Sequence, residues 1–174
     1  NKAPDVPIEN SYFYTTREDL DSLSFNAEKA EYDINTQQLK VSGIPYIIVA
    51  DAKITPENNE VLILENAKIG QLKNTVIVLD TINGYHRLTN GVVDIISRKE
   101  FTGHATYQYV NSVNDTFAID MTDFKYEAIA DQPQTKKRNA GPAMQTTANG
   151  VVTESSNIII APRIYYKGDM TMYA

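Results

Sequence analysis

"VVDIISRKEFTGHATYQYVNSVNDTFAIDMT", residues 92–122, decides the fold. It holds three runs rich in Val, Ile, Tyr, Phe and Thr, at 92–96, 106–110 and 116–122. Side chains of these types fit a pleated, half-buried surface. The last two runs flank residues 111–115, Asn-Ser-Val-Asn-Asp, a cluster of turn formers. Within 116–122, Phe117, Ile119 and Met121 alternate with Ala118, Asp120 and Thr122. A period of two buries one face of a strand and wets the other.

Similar runs recur outward from this stretch, at 46–54, 61–64, 75–79 and 158–166. Ala50, Ala52 and Ile54 point one way while Asp51 and Lys53 point the other. Strong punctuators lie between the runs: Pro56-Glu57-Asn58-Asn59, Asn83-Gly84 and Asn90-Gly91. Asn-Gly supplies the two positive-φ positions of a tight hairpin turn, so Asn83-Gly84 is the best hairpin candidate. Residues 16–23 alone read as a turn or two of helix, with Thr16 as N-cap and Glu18 and Asp19 in the first turn. The expected class is all-β: an open β-roll or solenoid-like stack of short antiparallel strands, with a β-sandwich as the alternative.

A chain of 174 residues with 42% hydrophobic and 22% charged residues can bury a real core and is not compositionally disordered. Its net charge of −6 offers no field for a phosphate backbone, which argues against nucleic-acid binding. The basic run Lys136-Lys137-Arg138 sits between Pro133 and Gly141-Pro142 and reads as a solvated loop tip. There are no cysteines, hence no disulfide, thiol or thiolate–metal chemistry. The longest apolar run, 44–50, is far too short to span a bilayer.

Two internal echoes bear on the architecture. Ala52-Lys53-Ile54 recurs 15 residues later as Ala67-Lys68-Ile69. Arg98, Phe101, Gly103 and Thr106 recur as Arg163, Tyr166, Gly168 and Thr171, each 65 residues on, with Ile95 and Ile160 extending the match. These eight positions are taken as a structural repeat motif, in which each Gly lets the chain bend or backbones approach closely. The second copy runs into Ala174, as a boundary inside a longer repetitive protein would look. Residues 1–10 read as a linker and 11–174 as one β domain. Gln, Thr, Asn, Ala, Gly and Pro dominate 129–156, which reads as a long loop.

Phe25-Asn26-Ala27-Glu28-Lys29-Ala30-Glu31-Tyr32-Asp33 and Leu39-Lys40-Val41-Ser42-Gly43 resemble the OstA-like repeat of lipopolysaccharide-transport proteins. The stretch with the two Ala-Lys-Ile triplets and Tyr85-His86 is similar to modules of very large envelope proteins of gliding-type bacteria. The resemblance implies an open β-roll whose interior groove passes acyl chains and whose edge strands pair with the next module. It also implies export to the periplasm or cell envelope. The partners implied are neighbouring repeats of the same chain or other envelope proteins, with a lipid or glycan as an alternative ligand.

Chemistry-bearing motifs are sparse. No Gly-x-Ser-x-Gly elbow and no phosphate-cradling glycine loop occurs. His86 and His104 are the only histidines, read as a strand-end residue and a surface-strand residue respectively. Asp19 with Asp21, and Asp120 with Asp123, are close acidic pairs outside any Ca²⁺-type loop. Asp120 and Asp123, the candidate carboxylates of a hydrolase, need a bulge to converge because a spacing of three places them on opposite faces. Of 11 tyrosines, Tyr107 and Tyr109 share a face, and Tyr165, Tyr166 and Tyr173 follow. Packing is their default role, a sugar- or peptide-binding stripe the alternative. Asn114-Asp115-Thr116 fits a glycosylation acceptor, meaningful only in eukaryotic export. No catalytic or metal-binding residue and no cofactor is assigned, and the expected function is a non-enzymatic structural or interaction module.

Overall fold

The computed structural model describes residues 11–80, 84, 86–129 and 143–174. These carry strands β1 (Ser11–Tyr14), β2 (Ser24–Ala27), β3 (Lys29–Asp33), β4 (Gln38–Ser42), β5 (Ile47–Val49), β6 (Ala52–Thr55), β7 (Glu60–Ile63) and β8 (Leu72–Leu79). The long strands follow: β9 (His86–Ser97), β10 (Glu100–Val110), β11 (Thr116–Ala128) and β12 (Met144–Val152). Three short ones end the chain: β13 (Ile158–Ala161), β14 (Ile164–Tyr166) and β15 (Gly168–Tyr173). The fold is all-β, and helix among the described residues is confined to single 3₁₀ turns. One of these, Glu18–Leu20, lies in the stretch expected to turn helically, but its N-cap is Arg17 rather than Thr16 and carries no side-chain cap.

Eight strands form one antiparallel sheet in the order β15-β12-β11-β10-β9-β8-β6-β5, curled into a half-barrel. Alternation along its strands drives the curl, because the apolar set on the concave side must leave water. Ile47, Ile54, Ile77, Leu88, Val93 and Met121, one set from that face, are fully buried. The hairpin of β1 and β2 and the three-stranded sheet β3-β4-β7 add Phe25, Ala27, Val41 and Val61 to the same core. At one end, turns are laced together. The Ala50 amide donates to the Arg98 carbonyl at 2.7 Å, and the Arg98 amide to the Leu20 carbonyl at 3.1 Å. Asp51 accepts bonds from the Thr146 amide, at 3.0 Å, and from its hydroxyl.

Several expectations change. The run 46–54 is two strands, β5 and β6, joined by a two-residue turn in which Ala50 sits at φ 55. Alternation continues across such a turn and hides it, since a left-handed alanine leaves no mark in the sequence. The run 158–166 splits likewise at Pro162-Arg163, with Arg163 at φ 65. Asn90-Gly91 ends no strand. Asn90, at φ 52, forms a bulge inside β9, and pairing slips there against both β8 and β10. Strands β8 and β9 do form a hairpin, but Leu79 pairs with His86, so six residues connect them rather than a two-residue turn. Gly84 of that connection is at φ 66, while Asn83 lies outside the described residues.

The stretch 129–156, expected as one long loop, contains β12, paired with both β11 and β15. Its composition misleads because a central strand here needs small side chains. A Cβ on Gly150 would come within 2.7 Å of the Met121 sulfur, and Ala148 is fully buried. Residues 1–10, the basic run 136–138 and Gly141-Pro142 lie outside the described residues.

Candidate functional site

The two edges of the half-barrel differ. β5 is three residues long, and the turn that follows it is tied to Arg98 and to Thr146. β15 is six residues long and pairs only with β12 among the described residues. The Ala174 amide donates to the Thr146 carbonyl at 2.9 Å, which fixes the phase of the ladder. Residues opposite one another alternate between exchanging two hydrogen bonds and none. Gly168, Met170 and Met172 therefore bond inward to β12, while Asp169, Thr171 and Tyr173 turn their N–H and C=O groups outward. One of these outward groups is occupied: the Tyr166 hydroxyl donates to the Asp169 carbonyl. The Thr171 and Tyr173 side chains are exposed, whereas Met172 is buried and Met170 half-buried on the core side.

A second open edge is β3, exposed at all five residues and paired, among the described residues, only with β4. Tyr32 lies in register with Leu39 and Ile63, and Ala30 with Val41 and Val61, so the core-facing rows of this sheet run out into solvent at β3. Beside those rows lies an apolar cavity of about 220 Å³, lined by Phe13, Leu20, Phe25, Leu39, Ile63 and Ile69 among others. The Phe13 and Phe25 rings, cross-strand partners stacked with centroids 5.6 Å apart, form part of its wall. A larger cleft of about 530 Å³ opens at the laced end. Phe101 and Phe124 lie at its base, Tyr126 and Glu127 beside it, and the Lys99–Asp21 ion pair, 3.0 Å, on its rim.

The eight motif positions share local geometry in part. Arg98 and Arg163 both lie in two-residue hairpin turns, between β9 and β10 and between β13 and β14, but Arg98 is the first residue of its turn and Arg163, at φ 65, the second. Gly103 is at φ 146 and Gly168 at φ 147, a region essentially reserved for glycine. Phe101 is buried against Phe124, whereas Tyr166 is half-buried and spends its hydroxyl on Asp169. Thr106 stands opposite Asp120 and donates to its carboxylate at 3.1 Å. Thr171 stands opposite Asn149 and donates to its side-chain oxygen, also at 3.1 Å. The surroundings differ: β10 is an unbroken central strand, while β14 belongs to a separate two-stranded sheet and β15 is an edge. The shorter echo has no structural counterpart. Ala52, Lys53 and Ile54 are on β6, whereas Ala67 ends a 3₁₀ turn and Ile69 makes an isolated bridge to Ile63.

The remaining candidates are scattered. Asp123, at φ 53, does sit in a bulge of β11, yet it and Asp120 are both exposed and neither lines the two cavities above. Among the described residues no three His, Asp or Glu side chains gather as a metal site would require. His104 is exposed, and His86 opens β9 with its ring 5.9 Å from Tyr107. Tyr107 and Tyr109 are half-buried against the core, while Tyr165 and Tyr173 are exposed. No described helix is long and apolar enough to cross a membrane. Sequence reading missed the apolar cavity because its walls come from six separate segments, a convergence that no local pattern records. No family model, no curated protein and no solved structure matches the chain.

Proposed function

We propose that this chain is a non-enzymatic structural module of a large, exported bacterial envelope protein, OstA-like in plan, that joins neighbouring modules through its sheet edges. The observation that carries the reading is the outer side of β15, where the backbone groups of Thr171 and Tyr173 have no partner among the described residues. Natural sheets shorten, charge or cover such an edge, because it invites another strand. Here it is six residues long, and the sole charge on it is Asp169. On this reading the curled sheet is one turn of a β-roll, the next module or another envelope protein adds its strand to β15, and the Arg98 and Arg163 segments are repeat units. The test compares this chain with one extended beyond Ala174 along its parent protein. Higher thermal stability and less self-association in the longer chain support the reading. Equal stability and equal association overturn it.

A second reading, a lipid-binding module of the lipopolysaccharide-transport type, is favoured by the apolar cavity between the β1–β2 hairpin and the β3-β4-β7 sheet. Its walls offer an acyl chain mostly aliphatic and aromatic contact, with Tyr14 and Thr15 the polar side chains among them. Titration with a medium-chain fatty acid, followed by chemical shifts of Phe13, Leu39 and Ile63, decides it. Saturable shifts confined to these residues support a lipid site, and unshifted resonances remove it.

A further inference from the structure

We propose that the open edge of β15 is self-complementary and takes a second copy of this chain, giving a two-fold dimer with antiparallel β15 strands centred on Thr171. The inference rests on the edge-docking reading and names a partner for that edge. Antiparallel pairing about Thr171 places Thr171 opposite its own counterpart, Asp169 opposite Tyr173, and Met170 opposite Met172. Thr171 and Asp169–Tyr173 are the positions whose N–H and C=O groups point outward, so the symmetric register exchanges bonds between the groups left open by β12. The same symmetry sets each side chain against a compatible one. Thr against Thr is a favourable cross-strand pair, and no like charges meet. On the core side, the half-buried Met170 of each copy is covered by the buried row's Met172 from the other. The Tyr166 hydroxyl on the Asp169 carbonyl leaves the second lone pair of that oxygen for the incoming Tyr173 amide.

The other two edges described above serve such pairing less well. β5 presents three residues, too few for a ladder of this length. On β3, pairing about Glu31 or Tyr32 sets acid against acid, and pairing about Ala30, which opposes Lys29 and Glu31, has no half-buried side chain to cover, since all five residues are exposed.

The test is sedimentation equilibrium of the chain from micromolar to millimolar concentration, with Thr171→Lys alongside. Thr171 is exposed and, among the described residues, its side chain bonds only to Asn149, so lysine there leaves the fold intact while setting two ammonium groups face to face. The expected result is a concentration-dependent dimer, weakened roughly fivefold or more by Thr171→Lys. Because the chain has no cysteine, Thr171→Cys supplies a single thiol. In a directly opposed pair about 5.5 Å apart at Cα it closes a disulfide on mild oxidation. Dimerisation unaffected by Thr171→Lys, or a Thr171→Cys chain that dimerises without cross-linking, overturns the proposal. So does a chain that stays monomeric at every concentration. That last outcome leaves docking to a following module standing, since the extended chain tests it separately.

Discussion

Replacing Gly103 and Gly168 by alanine separates two costs that glycine conceals. Both residues sit near φ +147, where an added Cβ is strained by the backbone itself at about 1–3 kcal/mol. Their surroundings differ sharply. At Gly168 the new methyl meets first the Tyr166 hydroxyl at 3.3 Å, the far end of a side chain able to swing away. At Gly103 it would overlap the Val92 carbonyl oxygen and stand 3.0 Å from the Val92 carbonyl carbon and the Val93 Cα. Those atoms belong to β9, held by the sheet on both sides, so β9 and β10 must move apart. Overpacking of this kind costs about 1–3 kcal/mol more. Gly168→Ala should therefore lose about 1–3 kcal/mol and Gly103→Ala about 2–6 kcal/mol. Urea unfolding followed by far-UV circular dichroism and tyrosine fluorescence measures both, with equal slopes as the sign of an unchanged denatured state. A Gly168→Ala loss equal to or greater than that of Gly103→Ala, at equal slopes, would refute the reasoning.

Met121, fully buried between β10 and β12, should cost about 2–5 kcal/mol on replacement by alanine, read from the same urea midpoints. Asp51→Ala strands the Thr146 amide, whose residue is 1% exposed, and should cost about 1–3 kcal/mol; Asp51→Asn keeps an acceptor and should recover part of it. The Arg17 side chain holds the Asp19 carboxyl below the ordinary carboxylate range, the Lys29 ammonium does the same for Glu31, and the Asn35 amide for Asp33. The unfolded chain takes up these protons at higher pH, so the stability they contribute is present above that range and lost as pH falls through it. The effect is small because all three are exposed, and added salt should erode the Glu31 part more than the Asp33 part, as acid titrations at two ionic strengths would show.

The strand class was legible because Phe117, Ile119 and Met121 carry their burial in their spacing, and Ile119 and Met121 are indeed core residues. Turn positions were legible where residue type and geometry agree, as at Asn111–Asp115, where the Asn111 side chain accepts from the Val113 and Asp115 amides. They were hidden where tertiary bonds hold an ordinary residue in a left-handed conformation, as at Ala50, whose amide is fixed by Arg98. β12 was hidden for the converse reason: its small residues answer to Met121 and Ile119 across the sheet rather than to their own propensity. β15 is one edge of the eight-stranded sheet among the described residues. Which of its backbone groups face outward could not be read from the sequence, because that depends on the phase of pairing with β12, set by Ala174 and Thr146.

Amide hydrogen exchange along β15 tests edge docking most directly. In the dilute, monomeric chain the Met170 and Met172 amides, bonded to β12, should exchange slowly, while those of Thr171 and Tyr173 exchange fast. If the proposed stacking holds, then in a chain extended by a further module the Thr171 and Tyr173 amides should become protected to the level of their neighbours. Exchange at Thr171 and Tyr173 that stays fast in the extended chain would contradict the account.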